Sequence, residues 1–380
     1  MASWRANGES VKFEVPSRVR RLFRRRTTRV VAAGLAIVVA LVGGSALWAR
    51  WWREHHPNGL LAAITAMPVA TQRLNFTDWS NVRLDLRVYR DTEISTMGSW
   101  LPRAFEADLS PASLMADTGV LMQKHFGFSP ANTQWEAYGQ APSGQVEVLR
   151  MNDTVDFATI QSALRKAGYP APSSTTGVWA GGVDLLASID PSISAEFANV
   201  VLMPDQHLVL ASSSPSFLSA TVATVEGKQK ALSSVDSLSN MLNNIDEPSA
   251  AVVWPRDFAC SDLAMSSADP DAQAEAQQAI SAAGQTTPLV GFALALDGDG
   301  VLTAAEQFTS SSVAQGDLKA RASLATGPEY GRSSANFSDD FTLESASTKD
   351  ATILLEMKPK RSGVFPLSSL YSGPLVFATC

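Results

Sequence analysis

Hydrophobic and polar positions alternate with different periods along this chain, and one stretch has no period at all. Val30–Ala49 is twenty residues without a charge, its only hydroxyl being Ser45. At about 1.5 Å per residue such a helix reaches roughly 30 Å, the hydrocarbon thickness of a bilayer. Beyond it, a pattern recurs from residue 134 onward: two short alternating segments about a turn, then a segment of helical period. Gln134–Tyr138 and Gln145–Met151 flank Ala141-Pro142-Ser143-Gly144, followed by Phe157, Ile160 and Leu164 on one helical face and a stop at Gly168. Phe197–Met203 and His207–Ala211 flank Pro204-Asp205-Gln206, followed by Leu218, Val222 and Val225 behind the cap Ser214-Pro215. Leu289–Leu296 and Val301–Phe308 flank Asp297-Gly298-Asp299-Gly300, a strong hairpin turn, with a polar helix near 314–325. Phe341–Ser345 and Ala351–Met357 make the fourth hairpin, before a short helix near 364–371 and a final strand at 374–379.

The starts, near 134, 197, 289 and 340, are too irregular for a solenoid. They predict an α+β fold: an N-terminal transmembrane helix, then two lobes of antiparallel hairpins covered on one face by helices. The expected divisions are a basic tail (1–29), the span (30–49), a juxtamembrane connector (50–66), lobe one (67–227), a connecting helix (228–248) and lobe two (249–380). Before the first hairpin, Arg73–Trp79 reads as a strand ending in a helix cap, and Ser110-Pro111 as the start of a helix to Phe126. Asp269-Pro270 begins a helix ending at Gly284, whose Ala/Gln composition suggests a peripheral insertion.

Charge orients the span. Residues 1–29 carry nine Lys and Arg against Glu9 and Glu14, a net +7, while the whole chain is −7. Flanking positive charge marks the cytoplasmic side, so residues beyond 50 are expected outside, at the plasma membrane. Trp48, Arg50, Trp51, Trp52 and Arg53 suit the outer interface. Cleavage after Gly44-Ser45-Ala46 is an alternative, and Arg20-Arg21-Leu22-Phe23 resembles a twin-arginine export signal. Ala32, Ala36, Ala40 and Gly44 form a small-residue stripe suited to close helix approach. The basic tail fits anionic lipid headgroups, and an acidic globular part argues against nucleic acid as partner.

Chemistry is sparse. The nucleophile elbow, zinc-protease, phosphate-loop and dinucleotide motifs are all absent, and no cofactor is implied. His125 and His207 read as structural. Asp297-Gly298-Asp299-Gly300 lacks the distal Glu of a calcium loop, and the four histidines lack ligand spacing, so no metal site is expected. Asp339-Asp340 and Glu306 offer carboxylates but no assignable pair. Two cysteines, Cys260 and Cys380, lie in the expected exported part, where a disulfide persists; a bridge is expected, two free thiols being the alternative. Trp79, Trp135, Trp179 and Trp254 remain as the candidate ligand-binding set, because indole suits stacking on sugars or lining an apolar groove; core packing is the competing account of each.

Asn75-Phe76-Thr77-Asp78-Trp79 with Val82-Arg83, Trp135-Glu136, Val155-Asp156-Phe157 leading to Gly168-Tyr169, Trp179-Ala180-Gly181-Gly182, and Cys260-Ser261-Asp262-Leu263-Ala264-Met265 together resemble single-pass cell-envelope proteins of mycobacteria and related actinobacteria, the mycobacterial polar growth factor group among them. The resemblance covers most of residues 67–380 and contains no catalytic motif. It implies a non-enzymatic role in mycomembrane building and polar growth, with a trehalose mycolate glycolipid, or the transporter that moves it, as partner. The reading from a different class is a scaffolding protein for a membrane complex without its own lipid ligand; an envelope hydrolase is the third.

Overall fold

The structure, a computed structural model, describes residues 58–89, 93–284, 286–333 and 335–380. The expected span, its small-residue stripe and the basic tail lie outside the described residues. Among the described residues no helix is long and apolar enough to cross a membrane.

In chain order, the first half contains α1 (Gly59–Ala66), β1 (Arg73–Asp78), α2 (Trp79–Asp85), α3 (Met97–Glu106), α4 (Gly119–Phe126), β2 (Thr133–Ala141), β3 (Gly144–Met151), α5 (Phe157–Lys166), β4 (Val178–Ala180), α6 (Gly182–Ile189), β5 (Asn199–Met203), β6 (Leu208–Ala211) and α7 (Pro215–Val225). The second contains α8 (Asp236–Leu242), β7 (Ala250–Pro255), α9 (Phe258–Asp262), α10 (Pro270–Ala283), β8 (Gly291–Leu296), β9 (Leu302–Gln307), α11 (Ser311–Leu324), α12 (Phe337–Asp340), β10 (Phe341–Lys349), β11 (Thr352–Pro359) and α13 (Pro366–Leu370).

All four expected hairpins form, and the helices expected behind Ser214-Pro215 and Asp269-Pro270 begin at those caps. Asp156, Ser214, Asp269 and Ser310 each accept a backbone N–H of the first turn of α5, α7, α10 and α11. The eleven strands build one antiparallel sheet in the order β10-β11-β9-β8-β7-β1-β2-β3-β6-β5-β4. This corrects the expectation of two lobes: their hairpins join edge to edge where β1 pairs with β7, Phe76 opposite Ala251. Helical cover on one face is corrected too, because strand alternation feeds two cores. Face one buries Leu149, Val209, Val252 and Phe292, while face two buries Leu74, Phe76, Val148 and Val253 beneath α1, α7 and α8.

The recurring pattern is an internal duplication. β1-β2-β3-α5-β5-β6 and β7-β8-β9-α11-β10-β11 have the same order, neighbours and direction. α1 and α8 begin 177 residues apart, at 59 and 236, as do β1 and β7, at 73 and 250. The expected connecting helix is therefore corrected: α8 is the first element of the second repeat, packed on face two as α1 is. Each repeat also carries a helical insertion after its first strand, residues 79–132 in one and 256–290 in the other.

Two local expectations are overturned. Residues 110–118 are not helical, and the helix begins only at α4. Glu136 takes the backbone N–H groups of Leu114 and Met115, which a helix would have bonded to its own carbonyls. The final strand at 374–379 is replaced by a short 3-10 turn at Val376–Ala378. Its outer carbonyls, those of Phe377 and Thr379, accept from Arg321 instead of from a neighbouring strand. The expected bridge between Cys260 and Cys380 is present.

Candidate functional site

The four tryptophans do not make a binding surface. Trp79 and Trp254 are fully buried, Trp135 and Trp179 nearly so. Trp79, Trp179 and Trp254 belong to face one, and Trp135 packs against Phe76 on face two. The indole N–H groups that suggested polar recognition are used internally: Trp79 donates to Glu136 at 2.7 Å and Trp254 to Asp262 at 2.6 Å. Trp179 lies under the Arg165 guanidinium, 5.3 Å from its ring centre. Burial of all four, with a satisfied N–H at Trp79 and Trp254, fits the core-packing account of these residues.

The strongest surface feature is the insertion 79–132. Glu136 on β2 holds it, accepting from Trp79 Nε1, Ser113 Oγ, and the N–H groups of Leu114 and Met115. Arg83 donates to the carbonyls of Pro130 and Thr133 and pairs with Glu93 at 3.1 Å. Trp100 packs edge-on against Trp79 and donates to the Glu93 carbonyl. At its far side Asp108 accepts the N–H groups of Leu367 and Ser368, so the insertion of the first repeat is tied to α13 of the second. This scaffold buries the tryptophans yet leaves apolar side chains outside. Of the seven large hydrophobic side chains exposed among the described residues, five lie here: Leu84, Tyr89, Ile94, Phe105 and Val120. Tyr89 is 78% and Phe105 59% exposed.

Sequence reasoning missed these residues, although a signal existed. In α3 the buried stripe is Met97, Trp100, Leu101 and Ala104, the i, i+3, i+4, i+7 set, and Phe105 falls off it. Off the stripe, the Phe105 ring stays largely exposed, 6.1 Å from the ring of Phe365. The insertion also begins beside the point where the described chain starts. A side chain at Gly59, the first residue of α1, would meet Asp78 Oδ2 at 2.9 Å and Trp135 at 3.2 Å. Asp78 is the N-cap of α2, bonded to the Asn81 N–H.

Charged groups elsewhere are sealed in. Glu147 on β3 is fully buried on face one with no hydrogen-bond donor on either carboxylate oxygen. Burial, then the charge of neighbouring Glu136, hold it well above the ordinary carboxyl range. Burial also raises Asp78 to about 7, opposed chiefly by the Asn81 N–H. Glu306 is pushed up to about 8 by burial, opposed by the Arg321 guanidinium 3.5 Å away. Asp85, at the end of α2, bonds Ser249 and packs on the hairpin turn, where a side chain at Gly298 would stand 2.2 Å from its carboxylate. Among the described residues no three His, Cys, Asp or Glu are grouped to hold a metal ion. On face two, a shallow cleft of about 360 Å³ is lined by Pro68, Val69, Phe217, Ala220, Gln229 and Lys230, among others.

No family model matches the chain, and no curated protein matches it. Among solved structures, crystal form I of TP0453 aligns over 82% of this chain and 98% of that one, at 8% identity and a TM-score of 0.38. Crystal form III of TP0453 aligns over 81% and 96%, at 7% identity and a TM-score of 0.35. Neither likeness bears on function.

Proposed function

We propose that this chain is a single-pass, membrane-anchored protein of the cell envelope, its amino terminus cytoplasmic and residues 58–380 extracytoplasmic, that works by docking rather than by catalysis. The observation that carries the reading is the insertion 79–132, which leaves Leu84, Tyr89, Ile94, Phe105 and Val120 in water while spending its polar groups on internal bonds. Exposed apolar side chains concentrated in one segment mark an interaction surface. The Cys260–Cys380 bond supports an oxidising compartment. The resemblance to actinobacterial envelope proteins suggests the partner: a trehalose mycolate glycolipid, or the transporter that moves one, during mycomembrane assembly and polar growth. The scaffold reading is kept beside it, because Asp108 makes the insertion a rigid bridge between the two repeats.

The test is to extract the full chain gently from a mycolate-producing host and identify what accompanies it. Stoichiometric glycolipid in mass spectra is the expected result. A lipid-free protein that crosslinks to one membrane protein, with capture lost in Phe105→Ser, would favour the scaffold. A chain that carries no lipid, and whose crosslinks are unchanged by Phe105→Ser, would overturn both readings.

A further inference from the structure

We propose that the outer edge of β10 is a strand-docking site, which takes a short extended segment of a partner protein, an aromatic residue between small ones, as an added antiparallel strand. The site is carried by the second repeat and does not involve the insertion 79–132.

The duplication is the first argument. The first repeat ends its part of the sheet with β4, which pairs with β5 through Val178 and Val201, Trp179 and Val200, and Ala180 and Asn199. The second repeat stops one strand short: among the described residues β10 has β11 on one side and no strand on the other. β4 belongs to the connection 167–198, which the second repeat shortens to 325–340. The ladders put Ala346 in the place of Val200. Val200 faces Ala211, which faces Glu147; Ala346 faces Leu355, which faces Ala304, 157 residues after Glu147. Ser345 and Ser347 therefore stand where Asn199 and Val201 receive β4.

Backbone direction is the second. Asp350-Ala351 is a two-residue turn, so Lys349 and Thr352 bond each other and alternate residues follow suit. Ser347 and Ser345 turn their N–H and C=O groups to β11, while Thr348 and Ala346 turn theirs outward, as Val200 does towards Trp179. Such a row is what an added strand pairs with. The window is short. A bulge between Leu343 and Ser345 ends it on one side and the exposed Lys349 on the other, features that keep long strands from pairing indiscriminately.

Side chains are the third. The first repeat sets Val200 and Arg165 beside the buried Trp179. The second has Ala346 and, 157 residues after Arg165, Ala322, both partly buried against face one. Smaller neighbours there suit a ring brought in by the incoming strand. In the register of β4, the residue three before that ring lies opposite Lys349 and the residue two after it beside Glu344, both exposed. An acid before the ring and a base after it complement them. A second copy of β10 would bring Ala346 or Thr348 to this place, so the occupant is a foreign strand.

The experiment uses the full chain in detergent micelles and a peptide of its own residues 175–182 carrying Thr176→Asp and Gly181→Lys. Hydrogen exchange of the β10 amides is the readout. The expected result is several-fold slower exchange at Ala346 and Thr348 on adding peptide, with β5 unchanged, and no effect from the same peptide with Trp179→Ser. Ala346→Pro, which removes an outward N–H at a sheet edge where proline is tolerated, should abolish the effect without lowering the melting temperature. Unchanged exchange in the native chain at saturating peptide, or slowing elsewhere than β10, would overturn the site. Slow exchange at Ala346 that grows with protein concentration alone, together with a doubled mass, would overturn the foreign strand in favour of a second copy. Phe105→Ser should leave peptide binding intact, so this site and the insertion stand or fall separately.

Discussion

The two repeats solve the same packing problem with different chemistry. Phe157, Ile160 and Leu164 of α5 are buried on face one; Ala314, Asp317 and Arg321, each 157 residues later, are the corresponding buried positions of α11. On the strands, Leu149 of β3 corresponds by the same interval to Glu306 of β9. A leucine pair in the first repeat is thus a carboxyl–guanidinium contact in the second. Arg321 also donates to the carbonyls of Thr287, Phe377 and Thr379, and Asp317 accepts from Thr287. The second repeat needs these bonds because its last segment has no strand ladder. The difference teaches that the fold tolerates either interior, and that the charged one serves to hold the carboxyl terminus. Charge is placed differently in the first repeat: Glu147 has no cation, only Glu136 beside it.

Covalent closure belongs to the second repeat alone. Cys380→Ser opens a loop of 120 residues and should cost about 4–5 kcal/mol in the chain-entropy account, read as a lower urea midpoint under non-reducing conditions. Arg321→Leu alone should cost about 3–5 kcal/mol, since it strands Glu306 and three carbonyls without water. Glu306→Leu with Arg321→Leu, which copies the first repeat, should recover more than half of that loss in a double-mutant cycle. No recovery would show that the repeats are not interchangeable there. Glu147→Gln should stabilise the fold most at alkaline pH, by about 1–2 kcal/mol, because the amide donates to Glu136 without needing a bound proton. The sign follows from linkage. A carboxyl raised above its unfolded value of 4.5 binds more protons when folded, so its stability is fully present below that pH and lost as pH rises through the folded pKa. Thermal unfolding of the native chain should therefore weaken from pH 5 to 8, and less so in Glu147→Gln. Phe105→Ser is the smallest perturbation, within about 1 kcal/mol, since the side chain is 59% exposed and gives up its ring contact with Phe365; any loss of partner contact is then not a loss of fold.

Hairpins and helix starts were legible because their signals are local: Asp297-Gly298-Asp299-Gly300 between apolar runs, Ser214-Pro215 before a periodic one. The single sheet was not, because Phe76 and Ala251 pair although 175 positions apart, with nothing in either segment to name its partner. The tryptophans misled for a related reason. Whether an indole N–H points to ligand or core depends on Glu136 and Asp262, and only the second lies near its partner in sequence. Residues 110–118 looked helical from Ser110-Pro111, and the Glu136 carboxylate, 22 residues beyond Leu114, decided otherwise.

The place of β1 in mid-sheet has a consequence for how the chain is made. Strands emerge in order, and β1 acquires β2 long before β7 exists. Until β7 has been made, the first repeat therefore presents an open strand edge of Arg73–Asp78, a template for pairing with the wrong neighbour. The disulfide, too, waits for the second repeat, because both of its cysteines lie there. Completion of the sheet is accordingly a late event, reached only when the second repeat has been made.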